Sequence, residues 1–509
     1  MKAFRTVCYV CLGLFLGCQQ QTVSHSKRHL RLAIPAEPSS LDPRKGGDLL
    51  SSHLQFFILE GLVKLETDGT VVPAQAHAWT ISQDKCIYTF YLGKTRWSDG
   101  TKVTSYDFAQ TWKSLLLPSF PSPHAHLFYS ILHAKQAKLG LCSVDAVGIE
   151  TPNADTLRIT LEKPVPYFLE LLSFCAFFPA PPSPSLSNGP FRLDKWLLGE
   201  EISYITNTYY HTSRPDCLDA ITFYLIENDA TAFRLYERGE VDLIGDPFAH
   251  IPQEQLLKLS KEELFTIPVF STLLITFNTH TFPFTNINLR KAFHLAISRK
   301  ELIDHLLHPG DKIALSLTKT YPLCSDQDID QARKHLQDAL QELQISLPTL
   351  EKSLLYLYPE APLHKKIAQI LQQQWKHVLG IHVPLQTMMS TSFLAALSHK
   401  QYCFAQTLYR AQYLDPTSIL ERFTYADTPK NYPSWENTTF QKLLDRSYFM
   451  EGQERDALLV QAESLLLQDF PISPLVHTSL LYAKKPYVHH VECSPAGGIF
   501  FERLLLDCQ

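Results

Sequence analysis

Residues 60–112 constrain the chain more than any other stretch, because a turn, a strand, a second turn and a capped helix follow one another there without slack. Asp68-Gly69 is a hairpin-turn dipeptide, and Val71-Val72-Pro73 leaves it in extended form. Ile87 to Leu92 is β-branched and aromatic, and reads as a strand. Asp99-Gly100 makes the second turn. Thr104 stands three residues before Asp107, a capping box in which Asp replaces the usual Glu or Gln. Behind it Phe108, Trp112, Leu115 and Leu116 fall on one helical face. The stretch holds no nucleophile with a base and no phosphate loop.

A chain of 509 residues exceeds the usual size of one domain, so two or three are expected. The net charge of -5 argues against a nucleic-acid partner, and no run of like charge suggests a polybasic membrane patch. Lys2 and Arg5 precede a short apolar run, Val7 to Gly17, that ends at Cys18 and is too short to span a bilayer. This resembles a bacterial lipoprotein signal, which implies lipidation of Cys18; Phe15 departs from the Leu usual three residues before that Cys. Residues 19–29 then read as a polar tether.

Cys86, Cys142, Cys175, Cys217, Cys324, Cys403, Cys493 and Cys508 follow at wide, irregular spacings without a C-x-x-C, which argues against zinc and leaves disulfide connectivity open. Most are expected to be buried as small apolar residues. Neither G-x-S-x-G nor H-E-x-x-H occurs, and His489-His490 on a strand would point to opposite faces. No enzyme, metal or cofactor is expected.

Farther along, Leu30 to Ile34 reads as a first strand, and Leu157, Ile159 and Leu161 alternate as another. Pro179 to Pro190 is a Pro/Ser-rich boundary loop. Leu289, Ala292, Phe293, Ala296 and Ile297 give a helical stripe within 286–303. Leu363, Ile367, Ile370, Leu371 and Val378 give another, with Gly380 as an αL stop before Ile381, Val383 and Leu385 resume as a strand.

Several of these segments closely resemble, in order, the oligopeptide- and dipeptide-binding proteins of ABC importers. Glu60-Gly61-Leu62, Asp68-Gly69, Ala76 to Trp79, Tyr88-Thr89-Phe90 and Trp97 to Phe108 carry the likeness first. Pro164 to Phe168, Asn188-Gly189, Asn207 with Tyr209 and Tyr210, and Gly239 to Asp242 extend it. The resemblance implies an α/β, two-lobed periplasmic-binding-protein fold (type II, cluster C) with an extra small inserted domain. Lobe I would comprise 30–63, 179–271 and 478–509, the inserted domain 64–178, and lobe II 272–477. It implies a monomeric, extracytoplasmic, lipid-anchored receptor. Such a receptor captures oligopeptides, modified or cell-wall-derived ones among them, and delivers them to an ABC permease. A same-fold receptor for a nickel complex, haem or sugar, and an adhesin or chaperone, are the alternatives.

The same resemblance marks a ligand site around residues 406–418. Where oligopeptide-binding members carry an Asp for the peptide's free amine, this chain has Gln412, between Ala411 and Tyr413 and three residues before Asp415-Pro416-Thr417-Ser418. Arg residues that hold the peptide carboxylate in some members fall at Leu397 and Gln406. His364 matches a His with that role toward longer peptides, a pocket Trp becomes Tyr409, and an acid at the cleft mouth becomes Ser51. A disulfide found in some members would join positions that are Arg410 and Ser271 here. Either Gln412 marks a lost amine clamp, with Arg410 a new cation for a ligand carboxylate, or it is an exposed amide and Asp415 takes the amine.

Overall fold

Two long antiparallel strands, Leu264–Phe277 and Ile472–Lys484, run through both halves of the molecule and hold them together. The computed structural model describes residues 28–212, 218–306, 310–318, 322–428, 430–494 and 497–507; Cys18, Cys217 and Cys508 lie outside them. In one half, Leu264 to Pro268 pairs with Ser479 to Ala483; in the other, Thr272 to Thr276 pairs with His477 to Ile472. The ladder is interrupted between Pro268 and Thr272. This is the two-lobed α/β architecture expected from the sequence.

On the lobe I side the sheet continues through Leu243–Gly245, His29–Ile34, Ala220–Leu225, Glu201–Thr206 and Phe191–Leu197. On the lobe II side it continues through Phe404–Arg410, Tyr356–Pro359 and Leu385–Met388. Strand alternation feeds a core on each face of lobe II. Leu273, Ile275 and Phe277 pack with Phe293 and Trp375 of the helices Ile287–Leu295 and Pro362–Leu379. Leu274 faces the other way, toward Phe440 and Leu459 of Thr438–Ser447 and Gly452–Gln468. Full burial of each such side chain contributes roughly 1.5–3 kcal/mol.

The opening stretch builds a separate four-stranded antiparallel sheet, ordered Ala76–Ile81, Ile87–Leu92, Thr156–Thr160, Ile149–Asn153. The helix Ser105–Leu115 lies on it, with Phe108, Trp112 and Leu115 fully buried. The capping reading holds: Asp107 Oδ2 accepts the Thr104 backbone N–H at 2.7 Å. Asn188 and Gly189 fasten this region to lobe I. The Asn188 amide bonds both backbone groups of Glu60, at 2.9 and 3.1 Å. A Cβ on Gly189 would lie 2.8 Å from Ile58 C and Leu59 N, so only glycine fits.

Three expectations need correction. The 286–303 stripe is two helices, Ile287–Leu295 and Arg299–Leu306. The chain breaks because Arg299 turns its buried guanidinium to Pro474 O at 2.7 Å, while Gln374 Oε1 takes the Ser298 N–H. Ile381 and Val383 are buried, yet the strand begins only at Leu385, after Pro384, which has no N–H for the ladder. Of the six described cysteines, all unbridged, only Cys175 and Cys403 are buried; the others are partly exposed.

Candidate functional site

The strand Phe404–Arg410 leads from lobe II to the junction of the lobes, and its alternation sorts the residues marked in the sequence. Tyr409 points into the lobe II core, fully buried, with the Arg422 guanidinium over its ring at 5.0 Å. Leu397 is also core, packed with Phe393, Tyr402 and Ala405. Gln406 and His364 are brought together, Nε2 to Nδ1 at 2.7 Å. Burial, then the charge of His250, pushes the His364 imidazole down to about 4. His250 itself is pushed up to about 9 by its bond to Asp246. Ser51 is buried at the start of the helix Leu49–Ile58, where its hydroxyl donates to Asp48 Oδ2 at 2.6 Å and accepts the Ser40 N–H.

Past the strand, each residue of the 410–415 turn meets a different environment. Arg410 stands opposite Ser271 in the ladder, just where the hinge interrupts it. The Arg410 Nε and Nη1 and the Ser271 Oγ are buried with no hydrogen-bond partner among the described residues. Gln412 fixes its backbone N–H on Ser418 Oγ at 2.8 Å, and its side chain lies near His126 of the inserted region. Tyr413 stacks on Tyr167, centroids 4.4 Å apart and planes at 8°. Asp415 is held by Arg455 at 2.6 and 2.8 Å and by the Thr417 N–H and hydroxyl. Its carboxylate is therefore committed within lobe II.

Gln412 also lines a cavity whose other walls come from lobe I and from the inserted region. Phe56, Phe174, Phe178 and Phe500 make those walls aromatic, and Glu60 and Glu502 add acids. Glu60 receives bonds from Tyr210 at 2.6 Å, His211 at 2.6 Å and Gln75 at 2.6 Å. Burial alone would raise its carboxyl, but the bond and charge of His211, with Lys64 and Tyr210, hold it below the ordinary range.

A second group joins the inserted region to lobe II without entering the cavity. Glu421 of lobe II accepts the Tyr167 hydroxyl at 2.5 Å and that of Tyr448. Glu170, nearby, is pushed up to about 7 by burial and the charge of Asp415, against the pull of Arg455. At the opposite flank Lys366 Nζ donates to Gln253 Oε1 at 2.9 Å. Sequence reading missed His126, Glu421 and Tyr167 as members of the site. Tyr167 lies in the Pro164–Phe168 run, which carries no sign of its partner; no local signal singles out the other two.

The geometry agrees with what is known of similar proteins. The family profile described as bacterial extracellular solute-binding proteins, family 5 Middle, matches residues 70–431. The oligopeptide-binding protein OppA of Bacillus subtilis is 28% identical over 508 residues, covering 94% of this chain and 92% of that one. The probable deoxycholate-binding periplasmic protein YgiS of Escherichia coli is 28% identical, covering 89% of this chain and 88% of its own. The murein tripeptide binding protein MppA of Escherichia coli superposes with a TM-score of 0.81 at 26% identity, covering 94% of this chain and 98% of that one. The unliganded open form of MppA fits less well, at a TM-score of 0.74.

Proposed function

Because the chain belongs to the bacterial extracellular solute-binding proteins of family 5, we propose that it captures oligopeptides, modified or cell-wall-derived ones among them, and hands them to an ABC importer permease. Lobe I is assigned to 30–63, 179–271 and 478–509, the inserted domain to 64–178 and lobe II to 272–477. The protein acts as a monomer outside the cytoplasm, anchored by lipid on Cys18. Its role is binding rather than catalysis.

One observation carries this reading. A cavity is lined by lobe I, the inserted domain and Gln412 of lobe II, beside a pair of strands whose ladder breaks between Pro268 and Thr272. A cleft with a hinge beside it can close on a solute and present a new surface when closed. Aromatic walls suit apolar side chains of a peptide, and polar groups at the end of Phe404–Arg410 suit its termini.

Mass spectrometry of solute released from protein purified without denaturation tests the reading. Peptides or peptide fragments are the expected finding. A non-peptide solute at full occupancy, with no binding of added peptides, would overturn it. Cys18→Ala is expected to move the protein from the membrane fraction to the soluble one; unchanged retention would refute the anchor.

A further inference from the structure

We propose that the hinge end of the cleft takes an anionic group carried by the ligand, a carboxylate or its like, with Arg410 as its principal holder. This deepens the peptide reading and rests on it.

The first ground is a set of buried donors with nothing to bond. Arg410 Nε and Nη1 and the Ser271 hydroxyl face one another across the ladder and lack partners among the described residues. The Tyr482 hydroxyl, within the field of Arg410, is equally unpartnered. Native proteins leave very few buried polar groups unpaired, and a desolvated guanidinium is among the costliest. Asp246 is the carboxylate whose charge reaches Arg410, but His250 engages it. An incoming anion would meet guanidinium and hydroxyl donors together, the chemistry that suits a carboxylate fork.

The second ground is the sign of the charge around Gln412. His126, near Gln412, is pushed down to about 3 by burial and then by the charges of Lys430, His124 and Arg422. Arg422 is satisfied by backbone carbonyls, donating to Arg410 O at 2.6 Å and Ser418 O at 3.3 Å. Lys430 is pushed down to about 8 by burial and then by Arg422. The two acids nearest in sequence are already engaged, Asp415 by Arg455 and Glu421 by Tyr167 and Tyr448. Arg422 and Lys430 thus leave this side of Gln412 positive, whereas Glu60 and Glu502 stand on the other walls of the cavity, so an anion is favoured at the Arg410 end.

The test is retention of a four-to-eight-residue peptide pool by the full mature protein, read by mass spectrometry. The pool is made in three forms: free amine, N-acetyl and N-succinyl. Hits are then titrated by calorimetry. The succinyl form is expected to bind at least about tenfold tighter than its acetyl twin. Arg410→Gln should bring the two within about twofold, while Arg410→Lys should keep their rank order. The wild-type ranking decides even if a variant folds poorly. Tightest binding by the free amine, or equal binding of succinyl and acetyl forms, would overturn the proposal and leave the receptor reading intact. Retention of no peptide in any form would instead sink the receptor reading itself.

Discussion

At the scale of single residues, the site is governed by which carboxylates are already taken. Asp415 and Arg455 form a largely buried pair, each side chain 10% exposed. Removing one charge from such a pair leaves the other uncompensated. Asp415→Asn is therefore expected to cost about 3 kcal/mol or more in urea unfolding, and Arg455→Met in the same chain to recover part of it. A single-variant loss below about 0.5 kcal/mol would show the pair to be dispensable. Glu170 has the opposite character. Its folded carboxyl is pushed up to about 7 from an ordinary 4.5, so the folded state favours the protonated form. That contribution is complete below the ordinary value and is lost as the pH rises through 7. Glu170→Gln should flatten the fall in melting temperature between pH 5 and pH 8, measured by calorimetry; an unchanged slope would exclude Glu170 as its source. None of this was legible along the chain. Asp415 meets Arg455 forty residues on, and Gln412 meets His126 from another part of the fold.

At the scale of elements, the sequence was most informative where structure is set by neighbours. The strand Ile87–Leu92, the Asp68-Gly69 hairpin and the αL stop at Gly380 (φ 70°) depend on local geometry, and each lies where its residue types placed it. Asp107→Ala should cost about 1 kcal/mol of stability in chemical denaturation, since it frees the Thr104 N–H that starts the helix Ser105–Leu115. No loss would mean that water serves that N–H equally well. The breaks in expectation have a tertiary origin. The interruption of 286–303 follows from Arg299 reaching a carbonyl on Ile472–Lys484, a partner 175 positions away. Likewise Leu397 and Tyr409, marked by likeness to ligand-binding positions, are core residues because strand and helix direction turn them inward.

At the scale of the whole molecule, lobe II meets the inserted domain through Tyr167 with Glu421 and lobe I through Lys366 with Gln253. Both contacts would part if the lobes swung open about the break between Pro268 and Thr272. Solution scattering should show a smaller radius of gyration with a bound peptide than without it, and the melting temperature should rise with peptide concentration. Identical scattering curves at saturation would count against hinge closure. The shared pair of strands also dictates when this protein can fold. Ile472–Lys484 sits inside the sheet of both lobes, against Leu264–Phe277 in each, and it is made about two hundred residues after that partner. Until a ribosome has passed it, Leu264–Phe277 lacks its neighbour along its whole length, and both halves expose an open sheet edge. A nascent chain of this design stays unfinished until Ile472–Lys484 has emerged, the condition in which a polypeptide can still be threaded through a membrane pore.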